Sequence, residues 1–185
     1  MSVRVTGSQA VVQPAPTPTW RNRALAVGRI ALGAYWLWEQ HWKLPPEFGI
    51  HDARGLMFSF QSSIDHPTIG LYRTFLQEVV VPNFFLFGWL VFASESLIGL
   101  SLTLGLFTRA GGVLGTLQSI NLLVAQGATE EGPWLYLGLI AANLAAALTP
   151  SNRALSMDRV LAPKLGSRRR SSTGLRRLVL WMMGR

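Results

Sequence analysis

Long apolar blocks separated by short polar breaks dominate the sequence. A membrane-crossing helix takes about 20 predominantly apolar residues. Four blocks approach that length: about Ala24 to Trp42, Asn83 to Leu106, Ala110 to Gln126, and Pro133 to Leu148. The second is the most apolar. Pro82 and Pro133 suit first-turn positions of helices two and four, and Pro150 closes the fourth. A tight turn near Phe107-Thr-Arg109 joins blocks two and three, and the stretch from Gly127 to Gly132 joins three and four. The pattern predicts an all-α, integral membrane four-helix bundle.

Between the first two blocks lies a segment too long for a plain connector, Leu44 to Pro82. Within it Leu71, Phe75, Leu76, Val79 and Val80 recur at helical spacing. They predict an outer amphipathic helix over 69–80, and residues 53–60 suit a second short helix. The chain divides into a proline-rich arm (1–22), a membrane domain (23–162) and a basic tail (163–185). In the tail, Arg168, Arg169, Arg170, Arg176 and Arg177 precede an apolar run containing Trp181. That is the pattern of a basic amphipathic helix, fit for anionic headgroups or for a partner protein.

Charge orients the bundle. The chain carries a net charge of +8, yet only 14% of its residues are charged and 49% are hydrophobic. Arg21 and Arg23 precede the first block, Arg109 sits between the second and third, and the basic tail follows the fourth. Glu39, Glu47, Asp52, Asp65 and Glu78 crowd the first loop, and Glu130 and Glu131 the last. The positive-inside rule then puts both termini in the cytoplasm of a prokaryotic plasma membrane. Basic residues gathered at one membrane face are not a nucleic-acid surface. The absence of cysteine removes disulfides, iron–sulfur ligation and thioether-linked haem.

Glu95 is the sharpest chemical signal, an ionisable group in the middle of the most apolar block. Such a residue is costly in a membrane and is a functional candidate by default. Gly88, Glu95 and Gly99 share one stripe, and Gly111, Gly115 and Gln118 another, so small faces can meet around a polar layer. Gln118, Asn121 and Asn143 are its candidate amides, although Asn143 lies off the small face of its own helix. The first block places Arg29, Gly33, Trp36, Gln40 and Lys43 on one stripe, with Arg29 free to pair with Glu95 or to snorkel inward. The histidines, His41, His51 and His66, all fall in or beside the outer loop, and no spacing suits a metal. The residues alone leave three roles open: binding a hydrophobic ligand, moving a proton through Glu95, or packing against other subunits.

From Arg23 to Leu161 the chain resembles the DoxX/DoxD family of small four-helix membrane proteins. The likeness rests on Arg29 and Gly33, on Trp42-Lys43-Leu44, and on the approach from Leu71 to Asn83. It rests most on Glu95-x-x-x-Gly99 followed by Leu104-Gly105-x-x-Thr108-Arg109, and ends on Ala154 to Asp158. The approach is similar to the DoxD branch, the small subunit of thiosulfate:quinone oxidoreductase. The resemblance implies a membrane subunit of an oxidoreductase or electron-transfer assembly near the quinone pool; the residues themselves supply no redox centre. On it, Glu95 is the family's membrane carboxylate and Lys43, Gly99, Arg109 and Asp158 are motif positions. Arg29, Gly33, Trp36, Gln118, Asn121 and Asn143 are then the candidate contacts for a quinone, the implied non-covalent cofactor. Membrane lipid and other subunits are the implied partners. The arm and tail fall outside the likeness, and they also suit a non-catalytic structural subunit that stabilises a larger membrane complex.

Overall fold

The computed structural model describes residues 19–129, 132–149, 154–158, 160–161 and 173–183. The proline-rich arm, Glu130, Glu131, Pro150 and Arg168 to Arg170 lie outside these residues, as does the side chain of Arg176. The described residues are all-α: α1 (Trp20–Trp38), α2 (Leu56–Asp65), α3 (Gly70–Phe75) running into a π turn (Leu76–Val80), α4 (Phe84–Leu104), α5 (Thr108–Gln126), α6 (Pro133–Leu148) and α7 (Thr173–Met182).

The first helix begins and ends four residues earlier than the apolar block suggests. Thr19 caps it, accepting a hydrogen bond from the Asn22 N–H. At the other end the chain leaves the helix through tight backbone bonds, from Gln40 N to Leu37 O, His41 N to Trp38 O and Lys43 N to Gln40 O. Pro45 and Pro46 follow, and the residue before a proline is disfavoured in helical conformation. Gln40 and Lys43 are therefore buried from a turn, not from a continuing helical stripe. Helix α2, in contrast, starts three residues later than expected. Phe48 and Gly49 take left-handed backbone angles there, and the Leu56 N–H bonds the Phe48 carbonyl. Phe48 is buried and meets Phe84 and Trp89 edge-on.

The 69–80 segment is helical nearly throughout, and two of its faces are apolar. Leu76 and Val80 pack with Ile64 of α2, with Phe87 of α4 beside them, while Leu71, Phe75 and Val79 face outward.

The four long helices pack in a ring, α1 on α4, α4 on α5, α5 on α6, and α6 back on α1. Arg29 meets Leu102 and Gln40 meets Phe92, so α1 and α4 are antiparallel. Small residues set how closely the helices approach. A Cβ on Gly33 would lie 2.5 Å from the backbone nitrogen of Thr103, and one on Gly112 2.7 Å from that of Ala147. Helix α4 ends at Gly105, whose φ of +64° is the left-handed cap glycine provides without strain. Helix α4 is long and apolar enough to cross a membrane; α6 is apolar but shorter. Along α4, Phe85, Leu86, Trp89, Leu90, Leu97, Leu100 and Leu104 are exposed, an apolar outer surface on a helix whose opposite side is packed.

Candidate functional site

At the middle of α4, Glu95 points into the bundle and is 1% exposed. Its partner comes from the turn after α1: Lys43 Nζ donates to Glu95 Oε1 at 2.7 Å. The ammonium also lies 4.4 Å from the centre of the Trp42 ring, a favourable place for a cation. Oε2 of Glu95 is buried with no hydrogen-bond partner among the described residues. A carboxylate in such surroundings is costly unless a counter-charge lies beside it, and Lys43 is that counter-charge. Gln40 holds the turn in place, donating to the Phe92 carbonyl and to Ser96 Oγ, both at 3.0 Å.

The bundle interior also holds a set of neutral polar groups. Trp36 Nε1 donates to Asn143 Oδ1 at 3.3 Å, and Asn143 Nδ2 donates to Ser119 Oγ at 3.3 Å and to the Leu139 carbonyl at 2.8 Å. Asn143 is fully buried, although its position relative to the small face of α6 argued against it. Gln118 is half-buried, and Asn121 is exposed, its Oδ1 accepting from the Tyr72 hydroxyl at 3.0 Å. The reason lies in α5. Gly111 abuts Ser101 of α4 while Gly112 abuts Ala147 of α6, so the inward direction falls between them. That rotation carries Ser119 inward and Asn121 out. Burial pushes the Tyr72 hydroxyl above its ordinary ionisation range, and the bond to Asn121 partly offsets the shift.

Arg29 neither pairs with Glu95 nor snorkels. Its guanidinium donates to the carbonyl of Leu102 and, at 2.7 Å, to that of Leu155. It thus joins the end of α4 to the segment after α6. Asp158 of that segment caps α5 from outside. Its Oδ1 accepts from the Phe107 N–H at 2.8 Å, and its Oδ2 from the Thr108 N–H and hydroxyl at 3.0 Å each. Phe107 sits at φ +52°, a conformation bulky residues rarely adopt. Arg109 reaches the Ala147 carbonyl, and its guanidinium stacks 5.6 Å from the Trp181 ring. Gly33 and Gly99 serve close packing between α1 and α4. Arg177 is exposed on α7.

Sequence reasoning singled out Lys43, on a helical stripe that the turn after Trp38 replaces, and did not join it to Glu95. It did not single out Ser96 or Ser119, and it met Thr108 and Tyr72 only as motif positions without a partner. Serine and threonine recur too often in helices to stand out without a partner in view. In the outer loop, His41, Trp42, Glu47, His51 and Asp52 border an open cleft of about 230 Å³, and both chain neighbours of Lys43 line it. Among the described residues, no group of three or more His, Asp or Glu side chains could hold a metal ion.

What this arrangement offers chemically is one buried carboxyl–ammonium pair that can exchange a proton, with a carboxyl oxygen left over. A family model described as "TQO small subunit DoxD" matches residues 59–181. The match starts after α1 and runs into α7, so the tail as far as Trp181 lies inside the family pattern rather than beyond it, in keeping with the packing of α7 on α5. No curated protein and no solved structure matches the chain. The matched stretch covers most of the bundle, including Glu95, Arg109, Asn143 and Asp158, and the chain belongs to the DoxD family of membrane proteins.

Proposed function

We propose that this protein is the small membrane subunit of a quinone-linked oxidoreductase assembly. In this reading α1, α4, α5 and α6 are four spans of a prokaryotic plasma membrane, with both termini in the cytoplasm. A partner subunit supplies the electrons. Quinone reduction consumes protons as well as electrons, and Glu95 stands where a proton can be held within the membrane. The observation that carries the reading is the Lys43–Glu95 pair, with the second Glu95 oxygen unpartnered. Intramembrane ionisable residues mark ligand or proton sites by default. Arg29, Gly33 and Asn143 support the bundle by packing and hydrogen bonding, and Trp36 is committed to Asn143 in its interior.

The test is thiosulfate-dependent quinone reduction in membranes carrying the intact assembly, with wild-type protein and with Glu95→Gln at matched abundance. Loss of activity with the assembly preserved supports the reading. Unchanged activity overturns it.

A second reading has its own observation. Asp158 and Asn143 spend most of their hydrogen-bonding capacity on this chain's own groups. That is the economy of a structural subunit which stabilises a larger complex. Mild detergent extraction followed by mass spectrometry separates the two. Partner subunits without quinone favour the structural role, and quinone retained by wild type but lost in Glu95→Gln favours the ligand role.

A further inference from the structure

The two ends of the bundle differ in charge. Arg21 and Arg23 open α1 and are exposed, and the antiparallel packing brings them to the end where α4 turns into α5 at Arg109. The acids of the first loop, Glu39 to Glu78, lie at the opposite end, where Tyr72 reaches Asn121 and Gln126 reaches Ser59 near the end of α5. Asp158 is at the basic end, but it is fully buried and committed to the α5 N-terminus. No exposed acid among the described residues balances that end.

Helix α7 is fastened there. Trp181 lies against Arg109, Met183 is buried, and the helix packs on α5. Yet Trp181 remains 46% exposed, and Leu178 and Arg177 are exposed with it. A short helix with indole and leucine beside arginine, held at one end of a bundle with an apolar girdle, is placed to lie in a headgroup layer. We propose that α7, with the exposed Arg177 on it and Arg21 and Arg23 at the same end of the bundle, forms a docking surface for anionic phospholipid headgroups. Charge complementarity favours this occupant. Arg177, Arg21 and Arg23 are all exposed, and basic residues near an anionic surface act additively. The exposed Leu178 and Trp181 supply the apolar footing that a soluble anion would not need. The proposal rests on the membrane reading above.

The chain has no cysteine, so Leu178→Cys gives a single attachment point for an environment-sensitive dye on the full-length protein. The labelled protein is placed in nanodiscs of phosphatidylcholine alone, or with phosphatidylglycerol added, and quenched with neutral acrylamide. Headgroup docking lowers quenching about twofold when the anionic lipid is present, and high salt or Arg176→Gln with Arg177→Gln restores it. Equal protection in both lipids overturns the proposal, because charge then plays no part. A label fully open to quencher in both also overturns it, and leaves the face for a protein partner. Failure to enter nanodiscs at all defeats the membrane reading as well, so the two failures are distinguishable.

Discussion

Lys43 and Glu95 lie 52 positions apart in sequence and 2.7 Å apart in space, with nearly all of both side chains hidden from solvent. The lysine comes from a turn beyond α1 and the glutamate from the centre of α4. The pair therefore fixes the path of the outer loop relative to the bundle as well as neutralising a buried charge.

Removing one member leaves the other buried and uncompensated, which typically costs about 3–5 kcal/mol. Lys43→Met is expected to destabilise strongly, and Glu95→Leu similarly. The double variant should recover much of the loss, because neither charge then remains. Unfolding in detergent, read as a double-mutant cycle, checks this. Simple additivity of the two single effects would show that the residues do not act as a pair.

The glycines divide into two kinds. A methyl on Gly33 would press on the backbone of Thr103, and one on Gly112 on that of Ala147, and backbone cannot step aside cheaply. Gly33→Ala and Gly112→Ala are each expected to cost about 1–3 kcal/mol through overpacking. Gly28 in α1 and Gly138 in α6 face open space. Alanine there should be neutral or stabilising by up to about 1 kcal/mol, the helix-propensity difference. Melting temperatures of the four variants, measured side by side, test the division.

This contrast also shows what the sequence could and could not disclose. The four long helices follow from apolar blocks, prolines and glycines, so their existence and approximate bounds were legible. Which glycines matter was legible only in part. Gly111-x-x-x-Gly115 stood out as a motif, but Gly112, which sets the rotation of α5, has no pattern of its own. That rotation decides that Ser119 joins Asn143 while Asn121 turns outward. Glu95 announced itself by being charged in an apolar block. Its partner did not, since Lys43 follows the end of α1 and reaches inward only because the chain turns there. Arg29 illustrates the same limit: its carbonyl partners belong to backbone, which no side-chain pattern can reveal.

Asp158 binds the N–H groups of Phe107 and Thr108, at the start of α5, from 51 and 50 residues away. Helix N-termini favour a carboxylate through both hydrogen bonding and the helix dipole. Asp158→Ala is expected to cost about 1–2 kcal/mol on that ground. Asp158→Asn should cost less, keeping one acceptor oxygen but placing an amide donor against a second donor. Hydrogen exchange at Phe107 and Thr108 gives a local readout. Unaltered protection in Asp158→Ala would mean that these N–H groups do not depend on the cap.

Tyr72 allows a test at alkaline pH, away from the buried pair. Burial disfavours the phenolate, so its ionisation lies above the ordinary value of 10.0 in the folded protein. The folded state then holds this proton at a pH where the unfolded chain releases it. The stability it contributes is fully present below the unfolded value and is lost as pH rises through the folded one. Tyr72→Phe removes the ionisation and the 3.0 Å bond to Asn121 together. Near neutrality the variant should therefore be less stable by about 0.5–1.5 kcal/mol, the usual net worth of a hydrogen bond. Above pH 10 its stability should fall less steeply than that of wild type, so the two curves converge. Unfolding measured at steps across that range decides the matter: parallel curves would show that Tyr72 ionises as freely in the folded protein as in the unfolded chain.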